Sequence, residues 1–105
     1  MTTLKVINIG KQFSRYPVGR YRADGDSNGE KFREDVLRPL LVMRDDVVIE
    51  FDDALGYGSS FLEEAFGGLV RSGFKADDLL KRLTLNTADD SLKKEIISYI
   101  KEAKQ

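Results

Sequence analysis

Two kinds of apolar run alternate along the chain. Leu4-Lys5-Val6-Ile7-Asn8-Ile9 and Val47-Val48-Ile49-Glu50-Phe51 are nearly continuous in apolar, mostly β-branched residues, and Leu83-Thr84-Leu85-Asn86 is shorter. Such runs predict strands, and the unbroken character of 47–51 suits a central strand covered on both faces. A further short strand is expected near Val18–Tyr21. Between the strands, apolar residues recur at helical spacing: Phe32, Val36, Leu37 and Leu40, then Phe61, Leu62, Ala65, Phe66, Leu69 and Val70. Leu79 and Leu80 mark a short helix over Lys75–Arg82, and Leu92, Ile96, Ile97, Ile100 and Ala103 give the last helix its buried face. This alternation predicts an α/β layered domain, with a largely parallel or mixed sheet of about four strands covered by helices. At 105 residues there is room for one core, so 1–105 is expected to be a single domain.

Local signals refine the boundaries. Ser27-x-x-Glu30 is a capping-box pattern ahead of the Phe32 helix. Pro39 lacks a donor and crowds the turn before it, so a kink or break is expected near Arg38. The helix after Gly58 should run to about Ser72 and stop at Gly73. Gly67-Gly68 inside it cost roughly 1 kcal/mol each relative to alanine, which predicts close approach of this helix to the sheet. Thr87 to Asp90 offer caps for the last helix. Residues 11–29 read as an irregular basic loop, long for so small a chain.

Composition narrows the chemistry. The chain has no His, so a Ser-His-Asp triad, a histidine base and histidine-ligated zinc are excluded. It has no Cys, which removes thiolate chemistry and makes a cytoplasmic location the default expectation. There is no apolar run of the roughly 18 residues a membrane helix needs. Net charge is −1, but residues 1–22 carry Lys5, Lys11, Arg15, Arg20 and Arg22 with no acid, leaving the rest at −6. A basic arm on an acidic body fits an anionic ligand or an acidic partner surface equally with a solvated edge. A sequence pI near 5.5 argues against nucleic acid.

The run Gly56-Tyr57-Gly58-Ser59-Ser60-Phe61-Leu62-Glu63-Glu64 stands at a strand-to-helix junction, where ligands of open α/β sheets bind. A helix start adds a partial positive charge and free N–H donors. Named motifs fail there. Phe61 stands where a dinucleotide fingerprint has its third glycine, no Gly-Lys-Ser/Thr follows, and Leu62 rules out a nucleophile elbow. Ser60-x-x-Glu63 is also a capping box, and on pattern alone a structural cap is favoured over a switch. Asp52 and Asp53 read as post-strand turn residues before a metal pair. No catalytic residue, metal site or cofactor is predicted.

Taken together, Gly19-Arg20-Tyr21-Arg22-Ala23-Asp24-Gly25, Gly29-Glu30-Lys31-Phe32-Arg33 and the block from Gly56 to Leu69 resemble the STAS-like domain of unknown function family. That family is similar to the sulphate transporter and anti-sigma factor antagonist modules, and the likeness spans about residues 4–103. The resemblance implies a bacterial, cytoplasmic, non-enzymatic regulatory module that docks a protein partner, with a histidine-kinase-like ATPase as the candidate. In anti-sigma factor antagonists an Asp-Ser-Ser-Gly segment opens a helix, and its first serine is phosphorylated by the partner kinase. Ser59 aligns with that serine and Ser60 with the next, while Gly58 and Phe61 replace the aspartate and the glycine.

Two readings therefore stand. In the first, Arg20, Arg22, Gly56, Gly58, Ser59 and Ser60 form a docking face, with Ser59 and Ser60 as phosphorylation candidates. In the second, the same residues bind phosphate or a nucleotide. Neither needs a membrane, and a homodimer is compatible with both.

Overall fold

The apolar runs pair into a three-stranded, wholly parallel sheet in the order β1-β2-β3, formed by Leu4–Asn8, Asp46–Glu50 and Leu83–Asn86. The computed structural model describes residues 3–104. Val6 lies opposite Val48, and Val48 opposite Thr84. The α/β class is as expected, with three strands rather than about four. The expected strand near Val18–Tyr21 is absent. That stretch instead lies along the segment before the second helix, with bonds from Val18 N–H to Ser27 O, from Gly29 N–H to Gly19 O and from Glu30 N–H to Arg20 O.

After β1 comes a single helical turn, α1 (Ile9–Gln12), capped by the Asn8 side chain. Helix α2 spans residues 29–42 and α3 residues 59–71, each interrupted by a widened turn, at Phe32–Leu37 and Glu63–Gly67 respectively. The helices α4 (Ala76–Arg82) and α5 (Asp90–Glu102) flank β3. Asp89 caps α5 by accepting from Leu92 N–H, and Gly73 leaves α3 at φ 118°.

Of the kink or break expected near Arg38, the break does not occur, because α2 continues through Pro39 to Val42, and the distortion takes the form of the widened turn that ends at Leu37. In the widened turn the Arg38 N–H donates to the Arg33 carbonyl, five residues back. Such a bulge relieves the crowding that a proline ring meets in a regular turn. The α2 cap also differs from expectation. Asn28, not Ser27, caps it, accepting from Lys31 N–H at 2.7 Å and donating to Gly25 O at 2.6 Å. Ser27 is taken by Ser14, its hydroxyl partner at 2.8 Å.

Val47, Ile49, Leu83 and Leu85 point to one side of the sheet and are buried under the helices. An aromatic layer completes that core, with Phe32 packed on Phe61 and Phe13. The helices α2 and α3 cross where Gly29 meets Phe61 and Ala65, since a Cβ at Gly29 would lie 2.5 Å from the Phe61 carbonyl oxygen. Among the described residues, none covers the other side of the sheet. Val48 is only partly buried and Val6 is 52% exposed, so β2 is central but not enclosed on both faces.

Candidate functional site

The loop leaving the carboxyl end of β2 is laid down by its own backbone bonds. Leu55 N–H donates to Arg15 O and Gly58 N–H to Pro17 O, which lines residues 15–18 against 55–58. Tyr57 is half-buried beneath, its hydroxyl donating to Phe51 O at 2.6 Å. Burial, reinforced by Asp52 and Asp53, pushes that phenol well above its ordinary range. The result is a shallow apolar groove lined by Tyr16, Pro17, Val18, Leu55, Gly56 and Gly58. Tyr16 is 65% exposed, Val18 58% and Leu55 62%. Large exposed apolar side chains gathered in one patch mark an interaction surface.

Ser59 and Ser60 open α3 at the rim of this groove, both exposed. Gly58 is the N-cap, and no side chain caps this helix end. The Ser60–Glu63 capping box therefore does not form. Ser60 is already inside the helix, and the Glu63 carboxylate is drawn the other way by two arginines.

Arg71 meets Glu63 with both terminal nitrogens, at 2.7 and 2.9 Å, and Arg20 reaches it at 2.6 Å. The Arg71 hydrogen bonds, joined by Arg20 and opposed by burial, hold the Glu63 carboxyl below its ordinary value. Glu64, 7% exposed, accepts from Arg33, from Arg20 at 3.2 Å and from Arg71 at 3.3 Å. Arg33 also donates to Glu34 at 2.8 Å, and Arg38 approaches Glu34 from the next turn at 3.1 Å. Arg22 pairs separately with Asp35 at 2.9 Å. This network was not legible in the sequence, because its partners are up to 44 residues apart. It also explains Gly67-Gly68. The sheet is not what approaches them; Glu63 and Arg71 crowd Gly67, and the Arg33 guanidinium lies across Gly68.

Of the candidate residues, Gly56, Gly58, Ser59 and Ser60 are brought together at the groove. Arg20 lies about one helical turn along α3, held by Glu63 and Glu64, and Arg22 is turned toward α2. The two turn acids diverge. Asp52 accepts from the Thr87 hydroxyl at 2.6 Å and the Ala88 N–H at 2.9 Å, and these bonds hold it below the usual carboxylate range. Asp53 accepts from Asn8 at 2.5 Å. The sequence reading missed Tyr16, Val18 and Leu55, whose only signal was an apolar residue inside an otherwise polar loop.

The family described as a STAS-like domain of unknown function matches residues 28–93, and the chain belongs to that family. No curated protein and no solved structure matches the chain. STAS-like domains are generally non-enzymatic. Among the described residues, no helix is long and apolar enough to cross a membrane.

Proposed function

We propose that the chain is a non-enzymatic regulatory module that docks a protein partner through the groove at its serine loop. The observation that carries this reading is the exposed apolar set Tyr16, Val18 and Leu55 beside the hydroxyls of Ser59 and Ser60. A partner side chain entering there meets apolar surface and backbone at Gly56 and Gly58, with little charge to displace. The partner is a histidine-kinase-like ATPase. Ser59 and Ser60 are its phosphorylation candidates, since a phosphate on either would stand at the groove rim and alter the docking surface directly. The phosphate-binding alternative has less support, because Arg20 and Arg22 already engage carboxylates.

The test is to incubate the protein with a histidine-kinase-like ATPase encoded beside it and Mg-ATP. Size exclusion then reports the complex and intact mass reports the modification. The expected result is a complex that Leu55→Glu abolishes, with a mass gain of one phosphate lost in Ser59→Ala or Ser60→Ala. A complex indifferent to Leu55→Glu would overturn the docking assignment.

A further inference from the structure

Parallel sheets are normally covered on both faces, yet here the helices cover one. Leu4, Val6 and Val48 with Thr84 form an apolar stripe across the other face, and Leu4 is 63% exposed. Asp46 and Glu50 bound it on β2, and neither makes an ion pair among the described residues. Among the described strand residues the stripe holds no cation, since Lys5 is in register with buried Val47 and belongs to the helix side, while Arg44 and Arg82 stand near Asp46 at its end.

The outer side of α5 has the opposite composition. Ile96 and Ile100 are buried, so Lys94 and Lys101 point outward with partly exposed Ile97 between them. Glu102 on this flank is held by the Ser98 hydroxyl at 3.0 Å. Along β2 the order is carboxylate, valine, carboxylate, the acids about 13 Å apart at a strand's rise. Along α5 it is lysine, isoleucine, lysine, the amines about 10 Å apart at a helix's rise. A helix of this length spans about 20 Å and the five-residue strands about 17 Å.

We infer that the open sheet face receives α5 of a second copy of this chain. The contact sets Ile97 on the Val6–Val48 stripe, with Lys94 and Lys101 toward the two carboxylates. Stacking two open faces would set like carboxylates against each other, and pairing two α5 helices would oppose lysines; both arrangements are repulsive. Because α5 lies on the helix side of the sheet, donor helix and acceptor face are on opposite sides of each copy. The contact is therefore head-to-tail, and it extends or closes into a ring.

Sedimentation equilibrium tests this over a range of protein and salt concentrations. The expected result is an average mass that rises above the monomer with concentration and falls with salt. Association should weaken at least tenfold in Lys94→Glu/Lys101→Glu and in Val6→Glu, both at exposed positions. Leu4→Glu, at a position 63% exposed on the same stripe, serves as a second face variant should Val6→Glu fail to fold by circular dichroism. An equimolar mixture of a helix variant and a face variant should form a 1:1 dimer that grows no further, since one good face meets one good helix. A wild-type monomer at every concentration, association that survives the lysine substitutions, or a mixture that stays monomeric would each overturn the inference.

Discussion

Arg20 donates to Glu63 at 2.6 Å across 43 residues of sequence, and this contact ties the loop that carries Tyr16 and Val18 to the helix that opens with Ser59 and Ser60. Two halves of the groove are thereby held in one relation by a charge-assisted bond. Glu63 keeps Arg71 if Arg20 is removed. Arg20→Ala should therefore lower stability by only about 1–2 kcal/mol in urea unfolding, while increasing amide exchange in residues 15–20.

Glu64→Ala is a different matter. It takes from the Arg33 guanidinium, whose side chain is 12% exposed, its most buried partner, and Arg33 keeps Glu34 at 2.8 Å and the backbone carbonyl of residue 64 at 3.0 Å. Removing one member of a buried pair outright costs about 3–5 kcal/mol; with Glu34 still paired to Arg33 the loss should fall below that range, yet exceed that of Arg20→Ala in the same assay.

Gly29 and Gly56 make opposite predictions. A Cβ at Gly29 would meet Phe61 and Ala65 backbone, which cannot swing away, whereas a Cβ at Gly56 meets nothing within 4 Å. Gly29→Ala should cost about 1–3 kcal/mol from overpacking. Gly56→Ala should change the unfolding midpoint little.

The caps offer a related contrast. Asn28 is 1% exposed and bonds both Lys31 and Gly25, so Asn28→Ala should cost about 1–2 kcal/mol. Ser60 caps nothing, so Ser60→Ala should stay within about 0.5 kcal/mol.

That contrast shows where the sequence was readable. Continuous β-branched runs at 4–8 and 47–50 and the glycine after Ser72 are local signals, and the strands and the end of α3 followed them. The cap falls on Asn28 rather than Ser27, whose hydroxyl is taken by a tertiary contact with Ser14 that no local pattern carries. Pro39 carries a legible signal of local distortion, but whether that becomes a break or a widened turn is not written in the local pattern. At the site, Gly56 through Ser60 were legible as a helix-opening loop. The apolar side chains lining it were not, because Tyr16 and Val18 meet Leu55 only through long-range backbone bonds.

Acid should act through the same ion network. The Glu63 carboxyl is held below its ordinary value of about 4.5 by Arg71 and Arg20. A depressed carboxylate adds stability that is fully present above its unfolded-state value and is lost as pH falls through the folded one. Stability should thus decline from about pH 4.5 downward. Glu63→Gln should flatten that decline in unfolding curves recorded from neutral to acid pH.

The proposed docking face is most directly tested by amide hydrogen exchange, read residue by residue, with and without the proposed partner, a histidine-kinase-like ATPase. Protection on binding is predicted at Tyr16, Val18 and residues 55–60, with the open sheet face at Leu4, Val6 and Val48 unchanged. Protection confined to the sheet face or to α5, with the serine loop exchanging as in the free protein, would rule out docking at the groove.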